Sequence, residues 1–193
     1  MVCLYRELFP SSRCLIIYRD VEKVAKSFYR SCLVVPSGYL IMKLCKQSSW
    51  LTKRMIEWMG LNSTDFSIRA DTGSDLAFGV MMSAMLMSIY LDSRRRGLDI
   101  SALCYDDLVA RPLDMCRVIL EFCHLPVSLA ERAIKAFDID SQRSSVLARS
   151  VIGRFKEPEM TPQIKAKLNE LLKKHELPLI GEPHIIEGTL RCS

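Results

Sequence analysis

Arg19 closes a short apolar run, Cys14–Tyr18, and Asp20 opens an amphipathic stretch directly after it. A strand that gives way at once to a helix leaves backbone N–H groups unpaired at the turn, and such groups favour an anion. The Arg19 guanidinium adds a planar cationic fork suited to phosphate. Ser27, eight residues further on, is placed to offer a hydroxyl to the same anion. The structural alternative for Arg19 is an ion pair with Asp20 or Glu22. A second polar cluster, Tyr105-Asp106-Asp107, follows a second apolar run, Ile100–Cys104. Ligands of parallel α/β sheets bind beyond the carboxyl ends of the strands, so both clusters stand where such a sheet does its chemistry.

The elements that must position these residues are legible as alternating patterns. Cys14–Tyr18 and Ile100–Cys104 are continuous apolar runs of the kind found in parallel strands. After the first, Val21, Val24, Ala25, Phe28, Tyr29 and Cys32 fall on one face of a helix that Asp20 can cap. Pro36-Ser37-Gly38 reads as a break, with helices expected over residues 40–45 and 51–59 and a polar loop over 62–73. Residues 76–91 carry no charge, but the stretch is shorter than a membrane span needs, and a buried helix ending at Gly97 is expected. Arg94-Arg95-Arg96 in its last turn complements the helix dipole. Pro112 opens a helix to Cys123 with Leu113, Cys116, Ile119, Leu120 and Cys123 on one face. Ser128 and Glu131 have capping-box spacing, and Thr161-Pro162 starts a last helix carrying Ile164, Leu168, Leu171 and Leu172. Strand, helices, strand, helices implies parallel strands joined by right-handed crossovers, an α/β layer fold.

Tyr18-Arg-Asp-Val-Glu-Lys-Val-Ala-Lys-Ser-Phe-Tyr29 resembles the 3′-phosphate-binding segment of the sulfotransferases that use 3′-phosphoadenylyl sulfate (PAPS). In that family a strand ends in Arg and a Ser eight residues later lies on the next helix. The resemblance assigns the 3′-phosphate to Arg19 and Ser27. Ala102-Leu-Cys-Tyr-Asp-Asp-Leu108, then Pro112, then Val118–Pro126, is similar to the family's strand ending in Tyr-Glu-Asp-Leu with its following Pro and helix. It assigns Tyr105 to the adenine, against the alternative of a buried anchor between strand and helix. Asp106 stands where the family usually has Glu. Asp140-Ser-Gln-Arg-Ser-Ser145 resembles a polar run of the invertebrate-type members, which implies adenine contacts for Ser141 and Gln142; capping by Asp140 and Ser141 is the alternative. Arg149 and Arg154 are further anion candidates.

The resemblance implies a P-loop NTPase-like parallel sheet flanked by helices and transfer of a sulfuryl group from PAPS, as co-substrate without a metal, to a hydroxyl or amine of a small-molecule or glycan acceptor. The family's first strand, its Lys-bearing phosphosulfate loop and its catalytic base have no counterpart in the right order. Val35-Pro-Ser-Gly-Tyr39 lacks the Lys, and His124, His175 and His184 all lie downstream. No catalytic residue is therefore assigned. The expectation is a single, N-terminally truncated domain over residues 1–193, with a core at about 7–177, a tail at 178–193 and little turnover alone. The alternatives are a non-catalytic fragment that binds a nucleotide or a partner subunit, homo-oligomers included, and a P-loop kinase relative.

Composition limits the remaining classes. With 193 residues, 49% hydrophobic and 25% charged, the chain is neither disordered nor collagen-like. Residues 1–60 hold ten Lys/Arg against four Asp/Glu, whereas residues 61–193 hold seventeen against eighteen. That early excess suits an anionic ligand or a solvated surface. No long basic stripe interleaved with aromatics points to a nucleic-acid polymer. The eight cysteines form no C-x-x-C pair, which argues against zinc and dithiol sites. Cys14, Cys32, Cys104, Cys116 and Cys123 are expected as buried apolar groups in a reducing compartment, with oxidised pairs in a secretory lumen as the alternative. No signal peptide is read at the start. The cytoplasm is the first expectation for location, and the Golgi lumen follows if an anchor precedes the chain.

Overall fold

The computed structural model describes residues 12–48, 50, 51, 54, 75–139, 145 and 148–192. β1 is Cys14–Tyr18 and β2 is Ile100–Cys104, both with the bounds expected from the sequence. They pair in parallel, Cys14 opposite Ile100 and Tyr18 opposite Cys104. Among the described residues these two strands are the whole sheet. The helices are α1 (Val21–Val34), α2 (Pro36–Gln47), α3 (Ala77–Arg95), α4 (Tyr105–Ala110), α5 (Pro112–Phe122), α6 (Ala130–Ile134), α7 (Arg149–Ile152) and α8 (Pro162–Lys174). The fold is thus mixed α/β. No described helix is long and apolar enough to cross a membrane.

The chain divides into two compact units. The first comprises Met1–Arg19, Met87–Ile139 and Pro183–Ser193, hence β1, β2, α4, α5, α6 and the last part of α3. Its core gathers Leu103, Leu108 and Met115, with Leu15, Tyr105, Ile119 and Cys192 packed around them. Met115 is completely buried beside Cys116, on the face that the spacing to Ile119 defines. α3 stops at Arg95 because Gly97 adopts φ +80°. There Leu98 N–H bonds the Ser93 carbonyl and Gly97 N–H the Arg94 carbonyl, closing the orphan carbonyls of the last turn. α5 ends in the same motif with His124 at φ 56° in the glycine position. Arg13 donates to the Phe122 carbonyl at 2.8 Å, capping that end further.

Residues 183–192, read from the sequence as part of a tail, form a clasp along β2. Ala102 N–H donates to the Gly188 carbonyl at 3.0 Å, and Leu190 N–H to the Ala102 carbonyl at 2.8 Å. Tyr18 donates to the His184 carbonyl, and Tyr90 to the Glu187 carbonyl, each at 2.9 Å. Arg94 binds the Ile100 carbonyl at 2.6 Å and approaches Glu187 at 3.6 Å. Of the basic triplet, Arg94 therefore does more than complement a dipole. Gly188 (φ +75°) is required here, since a Cβ would come within 2.6 Å of the Tyr90 hydroxyl.

The second unit comprises Asp20–Leu86 and Asp140–Glu182. The Asp20 carboxylate caps α1, accepting from Lys23 N–H at 2.8 Å, as the sequence indicated. Val21, Ala25 and Cys32 of α1 are buried. α1 and α3 cross closely: a Cβ on Gly79 would lie 2.7 Å from the Ala25 Cα. Thr161 caps α8 through Ile164 N–H at 3.3 Å, and Leu168 and Leu172 are fully buried.

Several expectations change. Pro36-Ser37-Gly38 does not break the chain; Val35 alone does, and Pro36 begins α2, because proline's missing N–H is harmless in a first turn. The Ser128–Glu131 capping box does not form: Val127–Leu129 is a 3₁₀ turn and α6 starts after Leu129 without a side-chain cap. Cys123 is exposed and Cys14 half-buried, whereas Cys32, Cys104 and Cys116 are buried; these five and Cys192 are free thiols. Cys123 is the first residue past α5, so it leaves the buried face. The polar loop at 62–73 and most of the helix expected at 51–59 lie outside the described residues.

Candidate functional site

The parallel register carries the first two candidate residues together. Tyr18 faces Cys104, so Arg19 and Tyr105 are the next residues past the carboxyl ends of neighbouring strands. The Arg19 guanidinium lies over the Tyr105 ring, 5.1 Å from its centroid. Its Nε is 3.6 Å from Oδ1 of Asp106. Arg19 thus has an acidic partner, but not Asp20 or Glu22. Asp20 is the α1 cap, and Glu22 holds Lys26 at 2.6 Å. The signal was available in the sequence: in parallel strands of that register, charges one and two residues beyond the paired ends come within reach of each other.

This arrangement is incompletely satisfied. The Arg19 Nε is enclosed yet has no hydrogen-bond partner among the described residues. At 3.6 Å the carboxylate is beyond the ~2.7–2.9 Å of a charge-assisted hydrogen bond. The side chains of Arg19 and Asp106 are 38% and 29% exposed, so water screens the pair and it contributes about 1 kcal/mol at most. The stacking adds ~0.5–1 kcal/mol at such an exposure. A cation fixed on one face by an aromatic ring, loosely neutralised and open in part to solvent, can accept an oxyanion.

Tyr18, one residue earlier, is in the opposite condition. It is 6% exposed. Its hydroxyl donates to the His184 carbonyl and lies 2.9 Å from the Thr189 hydroxyl. Burial pushes its phenol up from the ordinary value, against a smaller lowering by Thr189 and the Ile186 backbone. Burial likewise raises the thiols of Cys32 and Cys116, which keeps them protonated and poor nucleophiles.

Ser27 lies on α1 in the second unit, half-buried, with its backbone carbonyl accepting from Ser31 at 2.9 Å. Ser141 and Gln142 lie outside the described residues, as does Asp140. Arg154 is exposed just beyond α7. The three histidines have structural settings: His124 and His175 stand at the ends of α5 and α8, and His184 is buried in the clasp. What sequence reasoning missed is Asp106 as the partner of Arg19, and the clasp residues His184 and Thr189. The latter leave no periodic pattern because they act through backbone carbonyls and one hydroxyl. Among the described residues, no group of three or more His, Cys, Asp or Glu could hold a metal ion. No family model, no curated protein and no solved structure matches this chain.

Proposed function

We propose that this chain carries the nucleotide-binding part of a PAPS-dependent sulfotransferase, with Arg19 on the 3′-phosphate and Tyr105 against the adenine. One observation supports the reading most: at adjacent strand ends the Arg19 guanidinium lies over the Tyr105 ring, 5.1 Å from its centroid. Such ends are where parallel sheets bind ligands. The enclosed, unpartnered Nε of Arg19 suits a phosphate oxygen. Ser27 enters the reading through its spacing from Arg19, and Ser141 and Gln142 through the resemblance. A larger P-loop-like sheet around β1 and β2 belongs to the same proposal.

PAPS would supply the sulfuryl group and a phosphate leaving group. The chain's own residues would hold the nucleotide: Arg19 by charge-assisted bonds to the phosphate, Tyr105 by stacking. No residue is assigned as base or as the cation on the bridging oxygen, the two groups such a transfer requires. The chain on its own is therefore expected to retain the product nucleotide without transferring sulfate to a hydroxyl or amine. Calorimetric titration with adenosine 3′,5′-bisphosphate tests this. Binding should be lost in Arg19→Ala and weakened at least about fivefold in Tyr105→Leu. Absence of binding, or an Arg19→Ala variant that binds as the parent does, overturns the reading. Transfer from PAPS to an acceptor panel, abolished by Arg19→Ala, would overturn the expectation of retention alone.

A further inference from the structure

We propose that Asp106 is a resident competitor for Arg19, an internal anion that an incoming phosphate monoester must displace. The proposal rests on the nucleotide reading for the identity of the ligand but not for the exchange itself.

Three observations lead to it. The carboxylate sits at 3.6 Å from Nε, close enough to neutralise the guanidinium but too far to satisfy its N–H. That N–H is enclosed and has no hydrogen-bond partner among the described residues, and an unmade bond of this kind destabilises the unliganded state. Tyr105 covers one face of the guanidinium, so the cation stays in place when its counter-ion changes. Exchange is therefore local: one oxyanion leaves the edge of a fixed cation and another takes it.

The charge of the ligand decides whether exchange is favourable. Replacing Asp106 by another monoanion trades one unit charge for another at similar distance and gains little. A phosphate monoester carries nearly two charges near neutral pH and three acceptor oxygens. It both exceeds the resident carboxylate in attraction and satisfies the orphan N–H. Asp106 thereby sets a threshold that carboxylates do not cross and a terminal phosphate does. It also limits how tightly the phosphate is held, since the carboxylate is ready to return when the ligand leaves. Asp106 is a selectivity residue in this account, not a ligand.

The opposite role, a carboxylate that positions Arg19 for the anion, makes the opposite prediction, so the sign of one substitution separates them. The full chain is titrated at pH 8 and low salt with two probes, phenyl phosphate and adenosine 3′,5′-bisphosphate. Asp106→Asn should bind each about three- to fivefold tighter than the parent, the scale of a partly screened ion pair. In the Arg19→Ala background the same substitution should change nothing. Asp106→Ser is the second variant, and melting curves identify any variant that fails to fold. Unchanged or weaker binding of phenyl phosphate by folded Asp106 variants overturns the proposal, as does failure of parent and variants alike to bind it. If phenyl phosphate follows the expected pattern while the bisphosphate binds to none, the exchange stands and the nucleotide reading falls.

Discussion

Tyr18 and Arg19 are consecutive, yet their surroundings could hardly differ more. Tyr18 is buried and its hydroxyl meets the His184 carbonyl and the Thr189 hydroxyl at 2.9 Å each. Arg19 is more than a third exposed, Oδ1 of Asp106 lies 3.6 Å from its Nε, and that Nε has no hydrogen-bond partner among the described residues. A buried polar group with all its partners is part of the scaffold, because every bond it makes is one the unfolded chain would make to water. A charged group left short of partners at a strand end has no such explanation, and it is there that a ligand is worth seeking. The clasp fastens the end of β1 through Tyr18, whereas Arg19, the next residue, lies against the Tyr105 ring.

This contrast can be broken by experiment. The largest effect should come from ending the chain after Glu182. That removes the buried His184 and Ile186 and strips partners from Tyr18 and Ala102. Urea unfolding should then show a loss of about 4 kcal/mol or more. A loss below ~1 kcal/mol would mean that the clasp does not hold the strand end. Tyr18→Phe keeps the ring and removes the hydroxyl, so it should lower stability by ~1–3 kcal/mol while leaving anion affinity unchanged.

Alkaline pH acts on the same group. Burial raises the Tyr18 phenol, so the native state holds that proton more tightly than the unfolded chain. Its contribution is complete below the unfolded value of about 10 and is lost as pH rises through the folded one. Between about pH 9.5 and 11 the parent should therefore lose stability more steeply than Tyr18→Phe. Tyr90 is raised chiefly by burial, with Tyr18 the last of its causes, so it titrates in both proteins and Tyr18 dominates the difference. Equal slopes would remove Tyr18 from the account. The smallest expected change in stability is that of Arg19→Gln, below ~1 kcal/mol for a screened pair. If that substitution costs as much as Tyr18→Phe, Arg19 belongs to the scaffold and the contrast collapses.

Local rules carried much of the architecture. β1 and β2 were legible to the residue because continuous apolar runs end at charged or helix-starting residues, Arg19-Asp20 in one case and Tyr105-Asp106 in the other. The caps at Asp20 and Thr161 were equally local. Of the site, the pairing of Arg19 with Tyr105 follows from strand order plus register, and the partner Asp106 needed that register to be drawn one residue further. The clasp was illegible for a different reason. Ile186 is its one fully apolar buried side chain, and its fixing bonds reach backbone groups of β2 and the hydroxyls of Tyr18 and Tyr90. No hydrophobic period encodes that. The Ser128–Glu131 spacing misled because a 3₁₀ turn occupies the place of the first helical turn.

Ala102 gives both its N–H and its C=O to the clasp. In a parallel ladder successive residues turn these groups to alternate sides, so the flanking residues of β2 direct theirs to β1. Adjacent amides on one strand therefore exchange their hydrogens with solvent through separate openings. The Ala102 amide is released when the clasp lifts, and that of Leu103 when the two strands part. Deuterium uptake read one residue apart would report on two independent motions of the same half of the protein.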